Sequence, residues 1–176
     1  TSKTYQIVVK DANGDTTSGS IFLSGQPIPT ITQLRVDKTI SCFGQNDGQI
    51  TVLATGEKTP FKYKLNDFEP QTSNVFPNLA AALYTATVFN ADNCASIPAT
   101  VQLEEPAQLE LRLDQTPISC NGLSDWKITV TITGGTAPYE AKVENGSFIK
   151  INGNSHTFAN VSAGIHTVTV KDANDC

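Results

Sequence analysis

Four cysteines are the residues with the clearest chemistry in this 176-residue chain: Cys42, Cys94, Cys120 and Cys176. Cys42 and Cys120 lie 78 positions apart, and Cys94 and Cys176 lie 82 positions apart, so the thiols recur in pairs. They do not show the CxxC spacing of zinc sites, and only two histidines could help to bind a metal. The pattern therefore favours disulfide chemistry in an oxidising, extracytoplasmic compartment.

Acidic residues near predicted turns form a second group of candidate functional residues. Those that could hold Ca²⁺ are Asp11, Asp92, Asp172 and Glu105. Ca²⁺ takes about six to eight oxygen ligands from carboxylates and carbonyls, and a site at a repeat junction would stiffen that junction. The spacing differs from that of an EF-hand loop. Asp and Asn also favour turns through their own local hydrogen bonds, which is the competing interpretation. The sequence indicates no cofactor other than this ion.

Trp126 and Tyr139 are the candidates for ligand binding, because an exposed aromatic ring can stack on a sugar. Trp126 stands where the other copy of the repeat has Gly48, so the fold does not require it. Packing in the core is the competing interpretation. The two histidines, His156 and His166, accompany neither a nucleophile elbow nor a phosphate-binding glycine loop. We therefore expect the chain not to be an enzyme.

The elements that must position these residues are short strands. Alternation of apolar and polar or β-branched residues runs through five segments: 5–9, 50–53, 109–113, 128–132 and 168–170. Turn signals such as Asn13-Gly14 and Asn152-Gly153 separate them. A helical period does not persist over any stretch of helical length. This pattern predicts an all-β protein made of β-sandwich modules.

The cysteine spacing belongs to a longer internal repeat, which indicates an array of similar modules. Residues 40–44 match residues 118–122, and residues 10–13 match residues 171–174. The resulting division is 1–28, the last hairpin of a preceding repeat; 29–105, a complete repeat; and 106–176, a second repeat lacking its final strand. Prolines mark the junctions with little linker, which predicts a stiff rod. A weaker possibility is that residues 16–26 of a neighbouring chain supply the final strand and build a filament.

The charge and hydropathy of the chain exclude two classes of partner. The net charge of −5 and the isoelectric point near 4.9 leave no basic patch to neutralise phosphates, so we expect no nucleic-acid partner. Apolar runs stay well short of the roughly 20 residues of a membrane helix, so we expect no membrane span within these residues.

The motifs around the cysteines resemble the SprB-type repeat. In the second copy they read Ser119-Cys120-Asn121-Gly122, Gly134-Gly135-Thr136-Ala137-Pro138-Tyr139 and Asp172-Ala173-Asn174-Asp175-Cys176. The first copy departs from the pattern, with Glu57-Lys58 near the Gly-Gly position and Ala82 in place of a glycine. Such repeats occur in very long surface adhesins of gliding Bacteroidetes, which the type IX secretion system exports.

This resemblance implies an extracellular location, on the cell surface of a Gram-negative bacterium. The partners it implies are neighbouring repeats of the same polypeptide and surface polysaccharide. The strand-turn sequence ending in Asp-Ala-Asn-Gly also resembles the F–G hairpin of polycystic-kidney-disease-type domains, which implies an Ig-like sandwich. Asp15-Thr16-Thr17 resembles the O-glycosylation motif of Bacteroidetes, so Thr16 is a candidate for that modification.

Two disulfide patterns are compatible with the sequence. Bonds within each repeat would join Cys42 to Cys94 and Cys120 to Cys176. In an Ig-like sandwich, however, the A–B and F–G turns lie at opposite ends, whereas bonded Cα atoms must lie within about 7 Å. Stacked modules would instead join Cys42 to Cys176 across the junction, with Cys94 and Cys120 bonding to modules outside this chain.

Two functions follow from these observations. The first is a repeat segment of a secreted cell-surface adhesin, acting as a structural stalk and in glycan or surface attachment during gliding motility. The alternative is a carbohydrate-binding accessory module of a secreted polysaccharide-degrading enzyme. Further repeats elsewhere in the gene would favour the first function, whereas a catalytic domain would favour the second.

Overall fold

The computed structural model describes residues 3–116 and 126–176, and all regular secondary structure in these residues is β. The strands are β1 (Lys3–Lys10), β2 (Thr16–Leu23), β3 (Thr30–Lys38), β4 (Gly48–Thr55), β5 (Lys62–Leu65), β6 (Val75–Leu79), β7 (Ala82–Phe89), β8 (Ala99–Leu103), β9 (Glu110–Thr116), β10 (Trp126–Thr133), β11 (Tyr139–Val143), β12 (Ile149–Ile151), β13 (Ser155–Val161) and β14 (Val168–Lys171). The predicted all-β class is confirmed.

Strands β3 to β8 form two three-stranded sheets, ordered β3-β4-β6 and β5-β7-β8. Strand β7 shows the alternation that the sequence predicts, because Tyr84, Ala86 and Val88 are buried while the residues between them are partly exposed. The Tyr84 hydroxyl donates a hydrogen bond to the Ala80 carbonyl at 2.9 Å, as the corner tyrosine of Ig-like sandwiches does.

Strands β9 to β14 repeat this arrangement, in sheets ordered β13-β10-β9 and β12-β11-β14. Strand β10 pairs antiparallel with both neighbours, and β11 pairs antiparallel with β12 and β14. Val130 and Ile132 of the first sheet form one buried cluster with Ala141 and Ile151 of the second. This shared core makes the two sheets a β-sandwich.

Strands β1 and β2 form a two-stranded antiparallel hairpin, paired from Lys3 opposite Leu23 to Lys10 opposite Thr16. Every residue of both strands is exposed. The predicted Asn13-Gly14 turn connects them, and Gly14 has a φ of 95°, a conformation that favours glycine.

The chain divides into two compact units. The first consists of Thr1–Leu34, Val52–Asn74 and Thr85–Ala99; the second consists of Arg35–Thr51, Val75–Tyr84 and Thr100–Cys176. These units cut across strands β3, β4 and β7, so the boundaries at residues 28 and 105 stay a prediction. Within the described ranges, the fold includes no helix able to span a membrane.

Candidate functional site: the Cys42–Cys176 junction

A disulfide joins Cys42, in the turn before β4, to Cys176, which follows β14. Both cysteines belong to the second unit, and their Cα atoms lie 5.8 Å apart although 134 positions separate them in sequence. Cys94 carries a free, partly exposed thiol. Bonding of Cys42 to Cys94 within one repeat is therefore not formed, and the bond runs across the junction. Cys120 lies outside the described residues.

Asp172 shapes the turn that carries Cys176. Its side chain is only 3% exposed, and its Oδ1 accepts hydrogen bonds from the backbone N–H groups of Asn174 at 2.8 Å and Cys176 at 3.0 Å. Its Oδ2 accepts a third from the Thr136 N–H at 2.8 Å. Since the carboxylate satisfies three backbone donors, it fixes the direction in which the Cys176 side chain leaves the turn.

The turn that carries Cys42 is organised by Asp47. One carboxylate oxygen accepts the Ser41 N–H at 3.0 Å, and the other accepts the Lys38 ammonium at 2.8 Å. The Lys38 ammonium, followed by the Ser41 donors, holds the pKa of Asp47 well below its usual range. The Gln45 N–H closes the turn on the Cys42 carbonyl at 3.0 Å. A charged and hydrogen-bonded Asp47 thus holds the turn of Cys42 in place.

Two hydrogen bonds accompany the disulfide. The Asn174 side-chain amide donates to the Ser41 carbonyl at 2.8 Å. The Gly44 N–H donates to the Glu105 carboxylate at 2.6 Å. Sequence reasoning did not identify the role of Asn174 or Asp172. The recurrence of Asp11, Asn90 and Asp172 at equivalent positions is the signal that could have indicated it.

The same turn occurs three times among the described residues. Asp11 accepts the N–H groups of Asn13 and Asp15, two and four residues ahead. Asn90 accepts those of Asp92 and Cys94, again two and four residues ahead, at 3.1 and 2.9 Å. The Cys94 turn is thus held in the same way as the bonded Cys176 turn.

The candidate Ca²⁺ ligands do not form a metal-binding cluster within the described residues. Asp11 and Asp92 belong to the first unit, whereas Asp172 and Glu105 belong to the second. Across residues 3–116 and 126–176, His, Cys, Asp and Glu side chains do not form a group of three or more able to hold a metal. Three of the four carboxylates already accept backbone N–H groups. A Ca²⁺ site stays a prediction, and a chelator that lowered the melting temperature would support it.

Trp126 and Tyr139, the candidate sugar-stacking residues, are both partly buried. The Tyr139 hydroxyl donates to the Gly134 carbonyl at 2.7 Å, so this ring secures the glycine turn before β11. Trp126 begins β10 and lines a cavity of about 260 Å³. Its buried indole N–H has no acceptor among the described residues. Thr16 is exposed at the start of β2, where the predicted glycosylation would be accessible.

The fold and the junction define a class of protein, the tandem-repeat β-sandwich protein with a disulfide between consecutive repeats. Residues 38–69 and 112–148 match the SprB repeat family. These two segments are consistent with SprB-type repeats, in agreement with the resemblance of their motifs. No match was found among curated proteins. The disulfide fits an oxidising compartment, which agrees with the extracellular setting typical of this repeat.

Proposed function

We propose that this chain is a stalk segment of a secreted cell-surface adhesin, in which disulfides between consecutive repeats carry tension. The observation that supports this role is the Cys42–Cys176 bond, which links the two repeats outside the main chain. The proposed setting is the extracellular surface of a Gram-negative bacterium, where gliding adhesins exported by type IX secretion operate. The role is mechanical and adhesive rather than catalytic.

The bond gives tension a covalent path that bypasses residues 43–175, which include the strands of both sandwiches except β3. Force applied along the chain passes from Cys42 to Cys176 through the two sulfur atoms. The 134-residue span between the cysteines then bears no load and does not extend. The turn of Cys94 has the same hydrogen bond to its cysteine N–H as the turn of Cys176. For Cys94 to carry tension in the same way, its thiol would have to form a disulfide with a preceding repeat.

Single-molecule pulling from the two ends of the chain tests this role. The oxidised chain should release only the length of the residues that precede Cys42. The Cys42→Ser/Cys176→Ser variant should release about 450 Å more, because the 134-residue span extends by about 3.4 Å per residue. Cys94→Ser is the matched control and should behave like the unchanged chain. Equal extension with and without the bond would contradict the proposed role.

Attachment to surface polysaccharide is the second part of this proposal. A glycan array probed with the oxidised chain tests it, and Trp126→Ala is the variant that separates aromatic stacking from non-specific retention. Binding that Trp126→Ala abolishes would support attachment through this ring. A blank array would leave the stalk role alone.

A further inference from the structure

In the first repeat, two lysines share the outer face of strands β5 and β7. Lys62 and Lys64 alternate along β5 with residues that face the core, of which Leu65 is completely buried. The two lysines lie opposite Phe89 and Thr87 of β7, so these four side chains form one surface, the first lysine face. Strands β5 and β7 contain no aspartate or glutamate, and neither lysine forms an ion pair among the described residues.

The second repeat carries a similar surface on strands β11, β12 and β14. Lys150, Glu140 and Lys171 form one row across these strands, because Glu140 lies opposite both lysines. Lys142 is two residues along β11 from Glu140 and so lies on the same side of the sheet. The ammonium groups of Lys142 and Lys171 both contact the Phe148 ring, at 4.8 and 5.0 Å from its centroid. These residues form the second lysine face, on which one exposed ring holds two positive charges close together.

The two lysine faces differ in charge from the rest of the chain. Lys171 is ion-paired with Glu140 at 3.3 Å and with Asp175 at 2.7 Å. Lys142 and Lys150 form no ion pair among the described residues. Five of the twelve Lys and Arg residues lie on these faces, although the net charge of the chain is −5. An anion must therefore be recognised locally, because the charge of the whole chain repels it.

One cross-strand pair recurs on both lysine faces. Lys64 lies opposite Thr87, and Lys142 lies opposite Thr169. Lys142 and Thr169 are the counterparts of Lys64 and Thr87 in the internal repeat, 78 and 82 positions further along. Side chains directly opposite each other are close enough to contact one ligand group, and an ammonium and a hydroxyl both donate hydrogen bonds to a carboxylate or sulfate. The recurring pair is therefore suited to an anionic group.

The surroundings of the pairs suit a polymer. The lysines and threonines of both pairs are partly or fully exposed on a sheet surface, whereas small molecules bind mainly in concave sites. Strand β8 lies beside β7, and a strand beside β14 would likewise extend its sheet edge to edge. Such pairing leaves the faces open, because side chains stand perpendicular to the sheet.

We propose that the two lysine faces bind an acidic polysaccharide. Its carboxylate or sulfate groups contact the lysine ammonium groups and the hydroxyls of Thr87 and Thr169, and its sugar rings pack against Phe89 and Phe148. Exposed ionic contacts are weak one by one and are screened by salt, so the binding is salt-sensitive. The inference rests on the attachment to surface polysaccharide proposed above, and it names the class of ligand and the surface that binds it.

Affinity electrophoresis through gels that contain a polysaccharide measures this binding. Polygalacturonate carries carboxylates, dextran sulfate carries sulfates and dextran is neutral, so the three gels separate the contributions of the anion and the sugar. The oxidised chain should be retarded by one or both acidic polymers and not by dextran, and added salt should reduce the retardation. Lys64→Gln/Lys142→Gln should weaken binding about tenfold, whereas Lys64→Arg/Lys142→Arg should preserve it because the charge remains.

The matched control is Lys10→Gln/Lys127→Gln, which removes the same charge from exposed lysines of β1 and β10. It should change the affinity less than about twofold. A loss as large as that of Lys64→Gln/Lys142→Gln would overturn the proposal, because net charge rather than the lysine faces would then determine binding. Competition by single-stranded DNA as effective as that by the acidic polymer would also overturn it.

The gels also separate this proposal from the wider one. Equal retardation by dextran and by the acidic polymers, abolished by Trp126→Ala, would refute binding at the lysine faces and leave polysaccharide attachment in place. Absence of retardation in all three gels would refute both, and the stalk role would remain.

Discussion

Asp172 shows how one side chain can set the position of a reactive group several residues away. The carboxylate is buried and accepts three backbone N–H groups, including that of Cys176. In the first repeat Asn90 occupies the equivalent position and satisfies two such donors. The position therefore carries a short side chain with an acceptor oxygen in each of these turns, where Asp11 and Asn90 each accept two backbone donors and Asp172 accepts three.

We predict that Asp172→Ala lowers the free energy of unfolding by about 3 kcal/mol, because it leaves three backbone donors without an acceptor. Asp172→Asn should cost only about 1 kcal/mol, since its single oxygen still serves Asn174 and Cys176. Urea unfolding followed by Trp126 fluorescence measures both variants. Equal losses for the two variants would show that the hydrogen bonds to Asn174 and Cys176 do not matter.

His166 provides a pH-dependent contact within the second repeat. Its Nε2 lies 2.8 Å from the Ser162 carbonyl and its Nδ1 lies 2.7 Å from the Glu144 carboxylate. The Ser162 carbonyl, followed by Glu144, raises the pKa of His166 above its usual 6.5, because both oxygens favour the protonated ring. Stability from this contact is thus complete below pH 6.5 and is lost as pH rises through the raised pKa.

We predict that the urea midpoint of the second repeat falls as pH rises above 6.5 through the raised pKa. His166→Gln should remove this part of the dependence. Glu144→Gln should reduce it without abolishing it, because the Ser162 carbonyl remains. An NMR titration of the His166 ring checks the cause directly. If the His166 ring of the unchanged chain titrated with its midpoint at or below pH 6.5, the prediction would be contradicted.

At the level of the strand, the equivalent strands β4 and β10 begin with residues of very different size, Gly48 and Trp126. Gly48 leaves room for Leu103 to cross to β4. Trp126 occupies the same position of β10, beside the cavity. The strand backbone is common to both repeats, whereas the residue at this position differs.

We predict that Gly48→Ala destabilises the first repeat by about 2 kcal/mol, because the new methyl overlaps Leu103 and Ile40 in a filled core. Gly19→Ala is the matched control, since a Cβ at this strand glycine meets nothing within 4 Å. It should change stability by less than about 0.5 kcal/mol. Differential scanning calorimetry compares the two variants, and equal effects would show that the space above Gly48 is not filled in solution.

The Cys42–Cys176 bond acts at the scale of the whole molecule, because it joins residues 134 positions apart. It closes a span of 134 positions, which in the chain-entropy model contributes about 5 kcal/mol through the unfolded state. We predict a loss of this size for Cys42→Ser/Cys176→Ser in urea unfolding. Cys94→Ser should lose less than about 0.5 kcal/mol, because its thiol is free.

The pairing itself is checked by tryptic digestion without reduction. Cleavage after the lysines should release peptide 39–58, which carries Cys42, bonded to peptide 172–176, which carries Cys176. Peptide 65–112, which carries Cys94, should be absent from that product. Recovery of peptide 39–58 bonded to peptide 65–112 would refute the junction bond.

Much of the fold is determined by local sequence. Alternation in residues 128–132 and 168–170 predicted strands that are present as β10 and β14. The Asn13-Gly14 pair predicted the hairpin turn, because asparagine and glycine accept the backbone angles that such a turn requires. Strand period and turn chemistry act over a few residues, so a single sequence is sufficient to reveal them.

Only the tertiary structure decided the disulfide partner of Cys42, the hydrogen bonds of Asp172 and the surroundings of Trp126. The choice between Cys94 and Cys176 depends on which Cα lies within about 7 Å of Cys42, and no local pattern contains that distance. Likewise, the cavity that Trp126 lines is bounded by residues of β9, β10, β13 and β14, which lie far apart in the sequence. The sequence determined the strands and turns because these are local, whereas the disulfide and the cavity depend on packing between distant segments.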